Sequence, residues 1–393
     1  MKIFKPSPLN LVLTAALTTG LFTTNAMAVS DAEYNELKAQ LNELANQVEK
    51  ATASSSHSKT SIGGYGELHY NNLSGTKKGV SGGYDKKEMD FHRFVLFVGH
   101  EYNDKIRFFS EFEIEHALAG EGKKGEVEVE QAYVEIDFNK NLSSKAGVIL
   151  VPVGIINETH EPPTFYGVER NPVEKHIIPA TWWVGGLALN GKIDSGINYD
   201  LMISEGLNLY GEDSNKNIIM KDIRKGRQKT SKANMESLAY TGRIKYTGTP
   251  GLEVAFTAHY ESDLSQGNSK LDVGSGLLLE THAIYSASNF TVKALYAQWN
   301  ISGSDAKKKD KDSQYGYYIE PSYKLNEKWG VFGRYNTWNK TTVSDNKETQ
   351  IDIGVNYWPH PDVVFKADYV SYKKDTTAKN EFSGFNLGVG YQF

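Results

Sequence analysis

Few groupings in this chain could do covalent chemistry. Glu158-Thr159-His160-Glu161 sets two carboxylates and an imidazole within four residues, a set that could hold a metal or move a proton. Its spacing matches no zinc motif, and it reads as an ordinary charged loop. The chain has no cysteine, which removes disulfides, thiolate nucleophiles and cysteine-bound metals. Gly63-Gly64-Tyr65-Gly66 precedes no helix, so it cannot cradle a phosphate as a glycine-rich loop does. No catalytic residue, metal ligand or cofactor site is assigned, and nothing points to nucleic acid.

The charged residues can instead line water. Over 105–117, Ile106, Phe108, Phe112 and Ile114 fall on one side of an extended chain, and Arg107, Glu111, Glu113 and Glu115 on the other. The next segment sets Glu126, Glu128 and Glu130 against Val127 and Val129. A bulge near Gln131-Ala132 then turns Tyr133, Glu135 and Asp137 to the same inner side. Further along, Arg243, Lys245, Lys293, Lys324, Arg334, Lys366 and Asp368 take inward positions. Facing acidic and basic walls would set a transverse field on a passing solute.

Such a wall needs many strands. By alternation and turn chemistry the chain divides into about 16, from 61–70 to 382–393. Their connections alternate short and long. Asn103-Asp104, Asn139-Lys140-Asn141, Lys192-Ile193-Asp194, Gly248-Thr249-Pro250, Asn326 and Pro359-His360 are short; 71–88, 118–124, 154–180, 205–235, 263–274, 301–311, 339–345 and 374–381 are long. The asymmetry predicts a transmembrane antiparallel β-barrel with short periplasmic turns and longer outer loops. Mean hydropathy is −0.48, and no stretch after the N-terminal segment is apolar enough for a membrane helix. The 23 Tyr, 17 Phe and 6 Trp would form the interfacial girdles of a barrel. Sixteen strands leave an aqueous channel, whereas eight would fill with side chains.

The ends agree. Lys2 and Lys5, the apolar run Leu9–Phe22 and Ala26-Met27-Ala28 read as a signal peptide over 1–28. Its removal takes two lysines and no acid, leaving the exported chain more acidic than the formal −5. Tyr34, Leu37, Leu41, Leu44 and Val48 make a short heptad seam within 29–50, read as a periplasmic coiled-coil helix for oligomerisation. A polar linker, 51–59, leads to the barrel over 60–393. In the last strand Phe385, Leu387, Val389, Tyr391 and Phe393 point one way, and Phe393 reads as an assembly signal for the barrel-assembly machinery.

The loop 154–180 holds four prolines, apolar residues and balanced charge, and looks built to pack into the lumen. Glu158, Glu161, Glu169, Arg170 and Lys175 are its candidate pore-facing charges. The basic cluster Lys221, Arg224, Lys225, Arg227, Lys229 and Lys232 reads as a solvated outer loop, or as a contact for lipopolysaccharide phosphates. Signal, short heptad, barrel, terminal Phe and Pro162-Pro-Thr-Phe-Tyr-Gly-Val-Glu-Arg-Asn-Pro172 together resemble the phosphate-selective porin O/P family of Gram-negative bacteria. The resemblance implies a 16-stranded trimeric porin whose third loop narrows the pore, and whose phosphate specificity rests on lumen arginines and a lysine cluster. The expected function is passive diffusion of ions and small hydrophilic solutes, anions such as phosphate among them. Expected partners are outer-membrane lipid, lipopolysaccharide and further copies of the chain. An outer-membrane adhesin or receptor is the first alternative, and a hydrolase, which needs a Ser/His/Asp-type set, the second.

Overall fold

The computed structural model describes residues 59–76, 83–375 and 380–393. The expected signal peptide, heptad helix and most of the linker lie outside them. The strands are β1 (Thr60–Thr76), β2 (Tyr84–Asn103), β3 (Ile106–Glu115), β4 (Val127–Asn139), β5 (Leu142–Leu150), β6 (Trp183–Ile193), β7 (Ile197–Glu205), β8 (Tyr210–Glu212) and β9 (Ile218–Met220). They continue with β10 (Leu238–Tyr246), β11 (Leu252–Glu261), β12 (Gly276–Ala287), β13 (Phe290–Ile301), β14 (Ser313–Lys324), β15 (Trp329–Asn339), β16 (Glu348–His360), β17 (Val363–Lys374) and β18 (Glu381–Gln392). β8 and β9 pair only with each other, and the other sixteen form one closed antiparallel barrel.

Closure follows from the ends of the chain. β18 pairs with β1 from Tyr65↔Gln392 to Thr76↔Glu381. Beyond it, Phe393 and Gly64 exchange both backbone hydrogen bonds at 2.9 and 3.0 Å. Gly64 is needed there, because a Cβ would stand 2.2 Å from the Val95 carbonyl oxygen. A closed barrel leaves no strand edge unpaired, which is what a lipid environment demands.

Local chemistry sets the turns. Asn103 Oδ1 accepts from the N–H groups of Lys105 and Ile106, and Asn326 Oδ1 does the same for Lys328 and Trp329. Asn139 caps Asn141 likewise. These Asx turns reverse the chain in a few residues at one end of the barrel. Alternation then sorts the faces. Leu187, Leu201, Ile244, Ile353 and Phe385, each more than half exposed, form the lipid side. Trp329 stacks on Tyr357 with ring centroids 4.4 Å apart on the same surface.

Three departures from the expected strands have physical causes. β1 and β2 run several residues past their predicted ends as a long hairpin, from Gly75↔Tyr84 inward. Its Lys86-Lys87-Glu88 stretch is polar on both faces and shows no period of two. β5 stops at Leu150 rather than near 153, because the chain turns into the lumen at Pro152. The bulge in β4 falls at Glu130, since Glu111 opposes Gln131 while Phe112 opposes Val129. Gly79-Val80-Ser81-Gly82-Gly83 has the Gly-x-Ser-x-Gly spacing of a hydrolase nucleophile; residues 79–82 lie outside the described residues, and the element that begins at Tyr84 is the strand β2.

The upper lumen is packed. Ile155, Val173, Ile177 and Trp182 from the loop after β5 meet Leu207, Leu209 and Ile223 from the loop after β7, with Leu264 and Val273 from the loop after β11. Trp299, Tyr318 and Trp338 of the wall close this cluster.

Candidate functional site

The segment between β5 and β6 enters the barrel because its own residues fasten it into a compact body. Asn157 bridges its ends: Nδ2 donates to the carbonyl oxygens of Val151 (2.8 Å) and Trp182 (3.1 Å), and Oδ1 accepts from Trp182 N–H at 2.6 Å. Glu174 sits in the helical turn α1 (Val173–His176). Its carboxylate accepts from Ile155 N–H (2.8 Å), Ile156 N–H (2.7 Å), Asn171 Nδ2 (3.1 Å) and Tyr318 OH (2.8 Å). Gly154 makes room for it. Its φ is +74°, and a Cβ would lie 2.4 Å from Glu174 Oε2. Pro162 and Pro163 fix a tight turn, and Pro172 precedes α1.

A loop buried in a barrel needs partners for its backbone, and the inward polar residues of the wall supply them. Asp368 accepts from Val168 N–H at 2.6 Å. Arg334, Asn356 and Trp358 donate to the carbonyls of Glu169, Phe165 and Pro163. Trp299 and Thr257 donate to those of Ile177 and Pro152. Lys366 lies 3.5 Å from the Phe165 ring centroid. The loop thus touches the wall from β11 round to β17 and crosses the channel.

The candidate charges of the loop divide. Glu158 pairs with Arg243, which also holds Asp200 at 2.6 Å. Glu161, with Glu158, lines a cavity of about 270 Å³ on the short-turn side of the loop. Glu169, Arg170 and Lys175 line another, of about 430 Å³, on the long-loop side. Of the wall residues, Arg107 binds Glu135 (3.0 Å) and Asp137 (2.6 Å). Glu111 accepts from Gln131 and lies 3.3 Å from His160. Glu113 meets Arg93 at 3.4 Å, and Glu115 borders the larger cavity. Lys245 stands 3.9 Å from Glu253, Lys293 opposes Glu320 in register, and Arg334 binds Glu320 and Asp352. The acidic wall is therefore largely compensated by wall arginines.

Sequence parity missed several residues. His160, on the loop, sits between Glu111 and Glu130, at 3.3 and 3.6 Å. Burial opposes its charge, but the two carboxylates hold its pKa up at about 9. Arg93 escaped because a bulge in β2 hides its phase. The basic cluster 221–232 needs correction in part: Lys225 and Lys232 are exposed, as expected of a solvated loop, but Arg224, Arg227 and Lys229 are drawn inward. Ile223 buries its side chain in the lumen cluster and carries its neighbours inward. Arg224 donates to the Ala180 carbonyl, Arg227 to that of Thr181, and Lys229 pairs with Glu126 and Glu128. Arg224 is held down at about 9 by burial and by Arg227 and Arg170 beside it. Spaced apolar anchors (Leu207, Leu209, Met220, Ile223) were the available signal for this inward fold.

A family model described as Gram-negative porin matches residues 15–377. An uncharacterized protein of Aquifex aeolicus (strain VF5) is 30% identical over 365 residues, covering 85% of this chain and 80% of that protein. An anion-selective porin from Comamonas acidovorans superposes with a TM-score of 0.60 at 11% identity, covering 85% of this chain and 99% of the other. The outer membrane channel DcaP of Acinetobacter baumannii gives 0.55 at 13% identity, over 85% and 97%. These two likenesses are of fold. With the family match spanning most of the chain, the closed sixteen-stranded barrel and its charged, loop-crossed lumen, the conclusion is that this chain belongs to the Gram-negative porins and forms an outer-membrane channel for passive diffusion of ions and small hydrophilic solutes.

Proposed function

We propose that the channel favours small anions, inorganic phosphate among them, and that residues 154–180 with the inner face of 221–232 form its constriction. One observation carries the reading. Arg224 and Arg227 donate to the Ala180 and Thr181 carbonyls, Arg170 donates to the Thr181 hydroxyl, and none of the three makes an ion pair among the described residues. The wall arginines differ: Arg93, Arg107, Arg243 and Arg334 are each held by two carboxylates. A compensated arginine offers little to a passing ion. An uncompensated one beside low-dielectric walls attracts an anion strongly. A lumen lined by arginines also accords with the resemblance to phosphate-selective porins, as does the likeness in fold to an anion-selective porin.

The test is the reversal potential across a planar bilayer in a KCl gradient, repeated with inorganic phosphate. The parent should be anion-selective. Arg170→Gln, Arg224→Gln and Arg227→Gln together should move it toward cations, while the three Arg→Lys changes should largely keep it. A cation-selective parent, or equal behaviour of the Gln and Lys variants, would overturn the reading. We infer further that the chain exported by its 1–28 signal assembles as a homotrimer through its barrel walls, with the helix 29–50 as an accessory. Contact with lipopolysaccharide and recognition of Phe393 by the assembly machinery belong to the same proposal.

A further inference from the structure

The long-loop mouth of the channel holds a cluster of three histidines and two carboxylates that solute diffusion does not explain. His69 lies on β1 and Asp90 and His92 on β2, with His69 and Asp90 directly opposed. His116 follows β3 immediately, and Glu169 reaches in from the constriction loop. We propose that these residues bind a divalent transition-metal ion of the Zn²⁺ class.

Three observations carry the proposal. First, the donor atoms are already gathered. Those of Asp90, His92 and His116 lie within 4.8 Å of one another, and so do those of His69, His92 and Glu169. Asp90 Oδ2 is 3.0 Å from His92 Nδ1 and 2.9 Å from His116 Nδ1. Tetrahedral zinc with bonds of about 2.0–2.2 Å sets neighbouring ligand atoms about 3.3–3.6 Å apart, so small shifts suffice. Imidazole and carboxylate together suit zinc, nickel or copper.

Second, His69 is prepared as a ligand. Its Nε2 lies 3.1 Å from Glu67, the carboxylate arrangement that fixes the tautomer of a metal-bound histidine. Its Nδ1 is buried without a hydrogen-bond partner and faces Glu169 Oε1 at 3.5 Å. A lone pair opposite a carboxylate needs a cation between them. A proton could serve for that pair alone, but it would not account for the His92 imidazole, whose donor atoms join this group to the one made with Asp90 and His116.

Third, the backbone departs from regularity to bring them there. The pairing of β1 with β2 slips between Glu67 and Leu68, so His92 is the extra residue of a bulge. Both His92 and Arg93 then turn inward, which a regular strand forbids. The His92 ring stacks on His69 with centroids 4.6 Å apart. His116 has a φ of +55°, uncommon for a residue with a side chain, and donates its N–H to the His92 carbonyl at 3.2 Å. That turn folds its ring back onto Asp90. The cavity of about 430 Å³ beside the cluster gives an ion a path from the long-loop side.

The test is titration of the full-length, detergent-solubilised channel with ZnCl₂ by calorimetry, and with CoCl₂ by visible absorption. We expect one ion per chain, and for Co²⁺ the intense bands of a tetrahedral site. His92→Ala and His116→Asn should each weaken binding at least tenfold, whereas His360→Ala, on a distant turn, should bind as the parent does. Heat-modifiable mobility in SDS confirms folding, and His116→Asn lies beyond the strands should His92→Ala misassemble. No saturable binding by the parent, or binding unchanged in His116→Asn, would overturn the proposal.

Discussion

Replacing Glu174 by alanine should unfasten the loop 154–180 while leaving the barrel intact. The carboxylate accepts four hydrogen bonds, two of them from the N–H groups of Ile155 and Ile156. Those two donors are buried, and each would cost about 1–3 kcal/mol if left unpaired. The two together come to about 2–6 kcal/mol. Some of this returns, because burial pushes the Glu174 carboxyl above the ordinary glutamate range despite the donors around it. The lower end, about 2 kcal/mol, is therefore the figure to use, and it multiplies the loop's opening equilibrium by about thirty. The barrel should not follow, because its closed strand ladder does not depend on this side chain. Single-channel recording should show larger and noisier conductance, and trypsin should cut faster after Arg170 and Lys175. Unboiled protein should keep its mobility in SDS. Parent-like conductance together with parent-like proteolysis would refute the reasoning and place the hold on the loop in its contacts with Asp368, Asn356 and Trp358.

Other outcomes follow from single positions. Gly154→Ala forces a Cβ onto Glu174 Oε2 at a φ of +74°, so it should loosen the same loop and add little once Glu174 is already alanine, as a double-mutant cycle of loop proteolysis would measure. His160 has a folded-state pKa raised to about 9. The stability it gives is complete below the unfolded value near 6.5 and disappears as pH rises through about 9. Melting curves should show that alkaline loss in the parent and lack it in His160→Gln. Phe393→Ser removes one exposed ring, worth about 1.5–3 kcal/mol at most by transfer. If the ending is an assembly signal, surface levels should fall far more than refolded stability, and equal small losses would count against it.

The sequence by itself determined the barrel. Period-two alternation placed the membrane strands within a few residues, because lipid on one side and water on the other impose opposite chemistry on successive side chains. Asn103, Asn139 and Asn326 marked their turns through a local mechanism that needs no tertiary context. Proline and apolar content also marked 154–180 as a packed loop, since a solvated loop gains nothing from Ile155, Val173 or Ile177.

The partners of the charges were decided only by the fold. Parity says that Glu111 and Arg334 face inward, but not that His160 comes to one and Glu169 to the other, since those contacts join residues far apart in the chain. Single-residue bulges at His92 and Glu130 change the face of everything after them, so a period of two cannot be carried through them. The cluster 221–232 shows the limit most plainly. Its lysines and arginines have the composition of a solvated run, and only Ile223 and Leu209, packed against neighbouring loops, bring Arg224 and Arg227 into the channel. Alternation is written residue by residue because each side chain meets lipid or water directly, whereas a charge in the lumen is defined by what the closed barrel brings to face it.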